Sequence, residues 1–308
     1  MAQRTAITIG NFDGVHVGHR HILSIARQHA EAHGDAIVVA MTFDPHPATV
    51  LQPGSQPPRL MSLDQKITAL RQAGADRVVV MEPTEQILGL DPETFVRRLV
   101  GDQHPIAIVE GRGFRFGKGR AGDMRTLERL GEHYGFKAVA VDSVSIGLTD
   151  QLMAPVSSTL IRWLVSHGRM MDAALCMTQP FALTSRVVHG ERRGVSIGVP
   201  TANLDIESLR EHQLPGMGVY AGVVETISGD RFPAAISVGI KPTFQGQKFA
   251  IEAHLIDYGG DLYGYTITVR FVRWLRDQQR FPNVATLQAQ IRRDIDQTRQ
   301  WYNAGLLG

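Results

Sequence analysis

From Thr5 to Val141 short apolar runs alternate with stretches of helical spacing, and near Phe181 the alternation gives way to closely spaced β-rich runs. Thr5 to Gly10, Ala36 to Thr42, Arg77 to Met81, Ile106 to Glu110 and Lys137 to Val141 read as short buried strands. His19 to Ala32, Ser62 to Ala73, Pro92 to Leu99 and Met124 to Tyr134 lie between them with helical periodicity. This α/β pattern predicts a doubly wound parallel sheet with helices on both faces, a fold that binds ligands beyond the carboxyl ends of its strands.

The later runs, Phe181 to Val188, Val219 to Thr226, Phe232 to Val238, Ala250 to Asp257 and Thr266 to Val272, have Gly, Pro and Asp between them and little helix. They predict a small antiparallel β-barrel. Asn283 to Asn303 reads as one amphipathic C-terminal helix with Leu287, Ile291 and Ile295 facing the barrel. A chain of 308 residues exceeds what one core usually organises. The expected division is 1–180 and 181–308, joined through a helical piece from Ser157 to Met177 and then Thr178-Gln179-Pro180.

Composition narrows the function classes. At 43% hydrophobic and 20% charged the chain is globular, and no stretch spans a bilayer. The start lacks the layout of a secretory signal, so a cytoplasmic location is expected. Cys176 is the single cysteine, which excludes disulfides within the chain and a Cys-rich zinc site. A net charge of +2 is too small to imply a nucleic acid partner. Arg112, Arg115, Lys118 and Arg120 do cluster among glycines and two phenylalanines. That loop reads about as well as solvated and mobile as it does as an RNA contact, with a cover for a nucleotide as the third choice.

Directly after the first strand stands Gly10-Asn11-Phe12-Asp13-Gly14-Val15-His16-Val17-Gly18-His19, leading into a helix. A helix start offers free N–H groups and a positive dipole end to an anion. Gly14 and Gly18 allow close backbone approach, and His16 and His19 can point at one bound group. A lone histidine there would more often be a packed or capping residue, but two bracketing a glycine favour a phosphate cradle.

His16-Val17-Gly18-His19 resembles the HxGH signature of the nucleotidyltransferase superfamily, and Val156-Ser157-Ser158-Thr159-Leu160-Ile161-Arg162 resembles its distant partner ISSTxIR. With Phe43-Asp44-Pro45-His46-Pro47, the run is similar more narrowly to the bifunctional riboflavin kinase/FMN adenylyltransferases, the prokaryotic FAD synthetases. The resemblance implies adenylyl transfer in residues 1–180, with ATP and FMN as substrates. His16 and His19 would contact ATP phosphates, and Ser157, Ser158, Thr159 and Arg162 would hold the leaving phosphates. Gly10, Asn11, Phe12, Asp13, Gly14 and Gly18 would shape the nucleotide pocket, and His46 and Pro47 would touch flavin. Taken alone, Ser157-Ser158-Thr159 would read as a helix N-cap cluster.

A second motif set follows. Gly190, Gly194 and Gly198 lead into Pro200-Thr201-Ala202-Asn203, which resembles the PTAN motif of riboflavin kinases. Glycines so spaced let backbone amides surround phosphates, and the Thr201 and Asn203 oxygens are hard ligands suited to Mg²⁺. Gly239-Ile240-Lys241-Pro242-Thr243-Phe244, Glu252-Ala253-His254-Leu255-Ile256-Asp257 and Asp261-Leu262-Tyr263-Gly264 match the rest of the kinase pattern. The resemblance implies riboflavin phosphorylation in residues 181–308, with Glu252 as general base and Arg276 near the flavin. The plainer reading of Glu252 is a strand residue paired with Lys241 or Lys248. His254 reads as structural or flavin-lining.

Three positions depart from the family pattern: Gly113 where an aspartate is usual, Val195 where an arginine is usual, and Gln278 where a glutamate is usual. Rival readings are a flavin- or nucleotide-binding regulator derived from such an enzyme, and a protein that keeps one of the two activities. A nucleotidyltransferase for a pantetheine or glycerol phosphate would leave the motifs after Phe181 without a role.

Overall fold

The computed structural model describes residues 3–190, 198–243 and 246–307. Its contacts divide into two compact units: Met1–Pro57, Met61–Gly147 and Gln151–Ser158 in one, and Pro58–Leu60, Leu148–Asp150 and Thr159–Gly308 in the other.

In the first unit β1 (Thr5–Gly10), β2 (Ile37–Phe43), β3 (Arg77–Met81), β4 (Pro105–Gly111) and β5 (Lys137–Val141) form one parallel sheet in the order β3-β2-β1-β4-β5. The order reverses between β1 and β4, so a crevice opens beyond their carboxyl ends. The helices are α1 (Val17–His33), α2 (Ala48–Leu51), α3 (Leu63–Gln72), α4 (Glu85–Leu88), α5 (Pro92–Gln103) and α6 (Met124–Tyr134). Their starts follow from local chemistry: Ser62 and Gln65 form a capping box for α3, and Asp91 and Asp123 cap α5 and α6. α1 packs against β1, β2 and β4. The other face buries Ile7, Ile9, Val39, Met41 and Ile108 with Val96 and Leu99 of α5 and Leu127 and Leu130 of α6. The expected parallel sheet is therefore present, with boundaries within a few residues. A two-stranded piece, β6 (Ser145–Gly147) with β7 (Met153–Pro155), was not legible in the sequence.

The second unit holds most of α7 (Ser158–Ser166), then α8 (Met170–Met177), and a closed antiparallel barrel. Among the described residues its strands are β8 (Phe181–Val188), β9 (Ala202–Leu204), β10 (Gly218–Glu225), β11 (Arg231–Thr243), β12 (Gly246–Leu255) and β13 (Thr266–Arg276), closing as β10-β11-β12-β9-β8-β13. The helical join thus comes as two helices, broken at Gly168. Gly168 has φ +71°, and a Cβ there would fall 2.2 Å from the Trp274 ring, so only glycine fits. α8 packs on β8 and β13.

β8 alternates buried and open positions, with Phe181, Leu183, Ser185 and Val187 inward. β10 is buried from Gly218 through Val224, since one face fills the barrel and the other lies under the chain's C-terminal helix, α9 (Val284–Asn303). Ala221 and Val223 pack there with Leu307, Trp301 and Tyr302.

Leu287, Ile291 and Ile295 of α9 are half-buried as expected of that face, but its fully buried residues are Asp294 and Thr298. The polar choice is explained by Arg276, whose guanidinium donates to Asp294 at 2.8 to 3.2 Å, with both side chains largely buried. Removing one member of such a pair leaves the other charge unpaired. Asp294→Ala is therefore expected to lower the unfolding free energy by about 3–5 kcal/mol, read from urea titration. A change below about 0.5 kcal/mol would show that the pair does not hold α9 to the barrel.

Candidate active sites

The first site grows from the end of β1. Gly10 stands there with little room: a Cβ would press on the Phe12 ring at 3.2 Å. The chain then passes through left-handed backbone at Phe12 (φ 47°), Gly14 (φ 86°) and Val15 (φ 37°) before α1 begins. A β-branched residue in that region is strained, and such outliers gather where a loop must hold one shape. Val15 and Phe12 are buried and pin the loop from beneath.

His16 is the N-cap of α1 and its Nδ1 accepts the His19 N–H at 3.4 Å. The two imidazoles stack with centroids 3.6 Å apart, and the Phe12 ring meets His19 edge-on at 5.1 Å. A side chain on Gly18 would crowd the His16 ring at 3.2 Å, so that glycine makes room for the stack. His19 Nδ1 is buried and has no hydrogen-bond partner among the described residues.

Burial pushes His16 from 6.5 down to about 4. It pushes His19 well below its ordinary value too, with the charges of His16 and Lys66 adding to the effect. Both rings are neutral at pH 7. A folded-state pKa below the unfolded one means that the unfolded chain takes up the proton first. Stability is then whole above about pH 6.5 and falls between there and pH 4, by about 3 kcal/mol for His16 alone. Urea unfolding of wild type and His16→Asn at pH 7 and pH 4.5 isolates this effect from other titrating groups. The variant is expected to lose less stability on acidification, and an equal loss would refute the neutral His16.

Other groups join from neighbouring strands. The Asn11 amide lies 2.9 Å from His46 Nε2, and the Ala48 N–H donates to His46 Nδ1 at 3.1 Å, with Pro47 at the start of α2. Thr42 Oγ1 donates to the Asn11 carbonyl at 3.2 Å. Lys66 of α3, 7% exposed, donates to the Phe43 carbonyl at 3.2 Å and to Thr42 Oγ1 at 3.4 Å. This buried ammonium was missed in the sequence, although a signal exists: Lys66 sits on the apolar stripe with Ala69 and Leu70.

Of the second motif, Ser158 Oγ donates to the Asp13 carbonyl at 2.7 Å, tying it to the loop, and Ser157 lies in the same unit. Thr159 and Arg162 belong to the second unit, where Arg162 Nε donates to the Pro58 carbonyl at 2.7 Å. Gly113 is not demanded by the backbone, because a Cβ there would meet no atom within 4 Å. The basic residues beside it are paired, Arg112 with Asp142 and Arg115 with Asp123.

The barrel site is organised by three strands. Glu252 of β12 stands directly opposite Asn203 of β9, which in turn pairs with Val188 of β8. Residues so paired bring their Cβ atoms to about 5 Å. Gly190 comes so near the Asn203 amide that a Cβ would overlap it at 2.5 Å. Asn203 Nδ2 points toward the Thr201 carbonyl at 3.4 Å. The Glu252 carboxylate is 16% exposed and ion-paired with Lys241, one of the two partners considered from sequence. His254 Nδ1 lies 2.7 Å from the Pro200 carbonyl, which fixes β12 to the Pro200–Asn203 segment.

Beside Thr201 a cavity is walled by Val187, Ala202, Leu255, Tyr258, Leu262 and Tyr263. Gly198 has φ +77°, whereas Gly194, Val195 and Phe244 lie outside the described residues. Gln278 Nε2 donates to Ser237 Oγ at 2.9 Å and to the Val238 carbonyl at 3.2 Å. A glutamate in that pose could donate to neither unless protonated, so the departure at 278 suits this chain's own barrel rim. Arg276 is engaged by Asp294 and lies 5.6 Å from the Phe281 ring.

A switch-point crevice with two neutral imidazoles at a helix start, and a closed barrel that sets a carboxylate opposite an asparagine, define a two-part protein suited to phosphate transfer. The FAD synthetase family profile matches residues 1–159 and the riboflavin kinase profile matches residues 177–302. The chain is 33% identical over 297 residues to the bifunctional riboflavin kinase/FMN adenylyltransferase of Escherichia coli K12, covering 96% of this chain and 92% of that one. It is 35% identical to the protein of that name from Pseudomonas fluorescens (95% and 91% covered) and 30% identical to that from Bacillus subtilis (97% and 93%). A crystal structure described as a macrolide-efflux protein from Streptococcus pneumoniae superposes with a TM-score of 0.85 at 27% identity, covering 97% of this chain and 95% of that one. Among the described residues, no helix is long and apolar enough to cross a membrane. The chain belongs to the bifunctional riboflavin kinase/FMN adenylyltransferase family.

Proposed function

We propose that this chain makes FAD in two steps. In residues 181–308 the ribityl 5′-hydroxyl of riboflavin attacks the γ-phosphorus of ATP, giving FMN and ADP. In residues 1–180 a phosphate oxygen of FMN attacks the α-phosphorus of a second ATP, giving FAD and pyrophosphate. The observation that carries the reading is the pairing of Glu252 with Asn203 across adjacent strands, in a chain that also stacks His16 on His19 at a helix start.

In the kinase half Glu252 accepts the hydroxyl proton once substrate replaces Lys241 as its partner. The Thr201 and Asn203 side-chain oxygens fit Mg²⁺, a hard cation that keeps several waters, and its charge would neutralise the phosphates. Gly190 and Gly198 leave room for backbone to come close to the phosphates. The cavity beside Thr201, with its aliphatic and tyrosine walls, suits a purine ring. Arg276 holds the barrel rim on the flavin side.

In the adenylyltransferase half no protein nucleophile is needed. Catalysis rests on in-line positioning and on donors aimed at developing charge. His16 and His19 supply imidazoles, and Gly10, Asn11, Phe12, Asp13, Gly14 and Gly18 shape the loop around the nucleotide. Ser157, Ser158, Thr159 and Arg162 hold the departing pyrophosphate, and His46 and Pro47 take the flavin side. A cytoplasmic setting accords with a lone, buried Cys176.

The test is purified protein with riboflavin, ATP and Mg²⁺, with the three flavins separated over time. FMN should appear first and FAD after it, and excess chelator should stop both until Mg²⁺ is restored. Failure to form FMN would sink the kinase assignment, FMN without FAD the adenylyltransferase assignment, and full activity in chelator the metal.

A further inference from the structure

The ladder between β1 and β4 ends before the crevice. The strands pair at Ala6 with Ala107 and Ile7 with Ile108. Two residues on, the Ile9 N–H donates to a side chain, Glu110 Oε1, at 2.6 Å. β4 meanwhile stays in register with β5 through Gly111. Glu110 is 3% exposed, and Ile9 lies immediately before Gly10 and the strained backbone that ends in His16.

We propose that Glu110 is a positioning residue for adenylyl transfer: its carboxyl replaces the next rung between β1 and β4 and so fixes the backbone that feeds the His16–His19 loop. This role rests on the assignment of that reaction to the first site. A backbone rung would hold the strands at about 4.8 Å. A side chain in its place satisfies the buried Ile9 N–H and still allows the strand ends to part where the crevice opens. Nothing in the phosphate chemistry uses Glu110 directly.

The charge state follows from the surroundings. β1 brings no titratable group, and β5 sets Ala140 opposite Glu110. α1, packed on β4, carries His19, Arg20 and Arg27, while α5 and α6 turn Arg97, Arg98, Arg125, Glu128 and Arg129 to solvent. Arg112 and Arg115 in the following loop are paired with Asp142 and Asp123. None of these contributes to the state of Glu110. Burial pushes its carboxyl well above the usual range, against a weaker pull from the Ile9 N–H. Burial therefore favours the neutral acid. Ionisation would place an uncompensated carboxylate in an apolar layer, and its escape toward water would release Ile9.

The test measures both turnovers in the full chain for Glu110→Gln and Glu110→Ala across pH. Gln keeps an oxygen for Ile9 and cannot ionise; Ala removes the acceptor. Glu110→Ala is expected to lose about tenfold in kcat for FAD formation, with riboflavin phosphorylation unchanged. Glu110→Gln should recover FAD formation to within about threefold of wild type, and should lack the decline expected of wild type once Glu110 ionises at high pH. Equal impairment of both variants, wild-type turnover in Glu110→Ala, or a Glu110→Gln pH profile that overlays that of wild type would overturn the role. If Glu110→Ala fails to fold, seen as loss of both activities, the Glu110→Gln profile alone decides. Absence of FAD formation in wild type would instead refute the assignment of the reaction.

Discussion

Glu252→Gln is expected to slow FMN formation roughly 10²- to 10⁴-fold while leaving FAD formation from supplied FMN nearly unchanged. The substitution keeps the shape of the side chain and its place opposite Asn203, so the strand pairing of β12 with β9 survives. What it removes is the proton acceptor proposed for the attacking hydroxyl. It also removes the partner of Lys241, and a freed ammonium near ATP would by itself tighten nucleotide binding rather than weaken it. Steady-state kinetics separate the two effects. Loss of the base lowers kcat, whereas a lost binding contact would raise KM with kcat preserved. If Glu252 served only as the ion-pair partner of Lys241, kcat would stay within a few-fold of wild type, and the plainer strand reading would stand.

The extent to which the fold was legible follows from the range of the forces involved. β1, β3 and β5 match the apolar runs end for end: β1, central and buried on both faces, reads as a continuous hydrophobic stretch, and β3 and β5, though half-open edge strands, keep the same short Val- and Ala-rich runs. The helix starts were legible because their caps are local: Ser62, Asp91, Asp123 and Asn283 each accept an N–H from the residue three positions on. β11 runs on to Thr243, past the apolar core of its sequence signal, because a strand's length is set by its partner. β9 was read as a motif and not as a strand. With three residues and partners in β8 and β12, its existence depends on closure of the barrel.

The sites show the same limit. Gly10 to His19 is a contiguous signal, and the structure gathers it into the end of β1, one loop and the first turn of α1. Asn203 and Glu252 are far apart in the chain, and only strand register places them opposite each other. Glu110 is not legible as a site residue, since a charged residue at the end of an apolar run does not reveal whether it is buried or at a strand edge. Asp294 hid for a similar reason: on an amphipathic helix it reads as solvated until Arg276 of β13 is seen across from it.

His19→Ala carries the other large effect, and its direction is opposite: FAD formation should fall while FMN accumulates. His19 stacks on His16 at 3.6 Å, is edged by Phe12 at 5.1 Å, and keeps a buried Nδ1 with no hydrogen-bond partner among the described residues. An unsatisfied buried nitrogen is costly to fold around, so its retention points to a partner that arrives with substrate. Because burial keeps the ring neutral in the free protein, the contact proposed with phosphate starts as a hydrogen bond, not as a fixed positive charge. Losing one such donor at a site of developing charge is worth about 2–4 kcal/mol of transition-state stabilisation, or roughly 10²- to 10³-fold in kcat. Riboflavin phosphorylation should be unchanged, since the base and metal ligands proposed for it lie in the barrel. The stability of the first unit should not fall by a comparable amount, because removing a ring with an orphaned nitrogen also removes a cost. FAD synthesis left intact in His19→Ala would refute the role of the imidazole pair, and loss of both activities together would show that the stack holds up the fold instead of serving the chemistry.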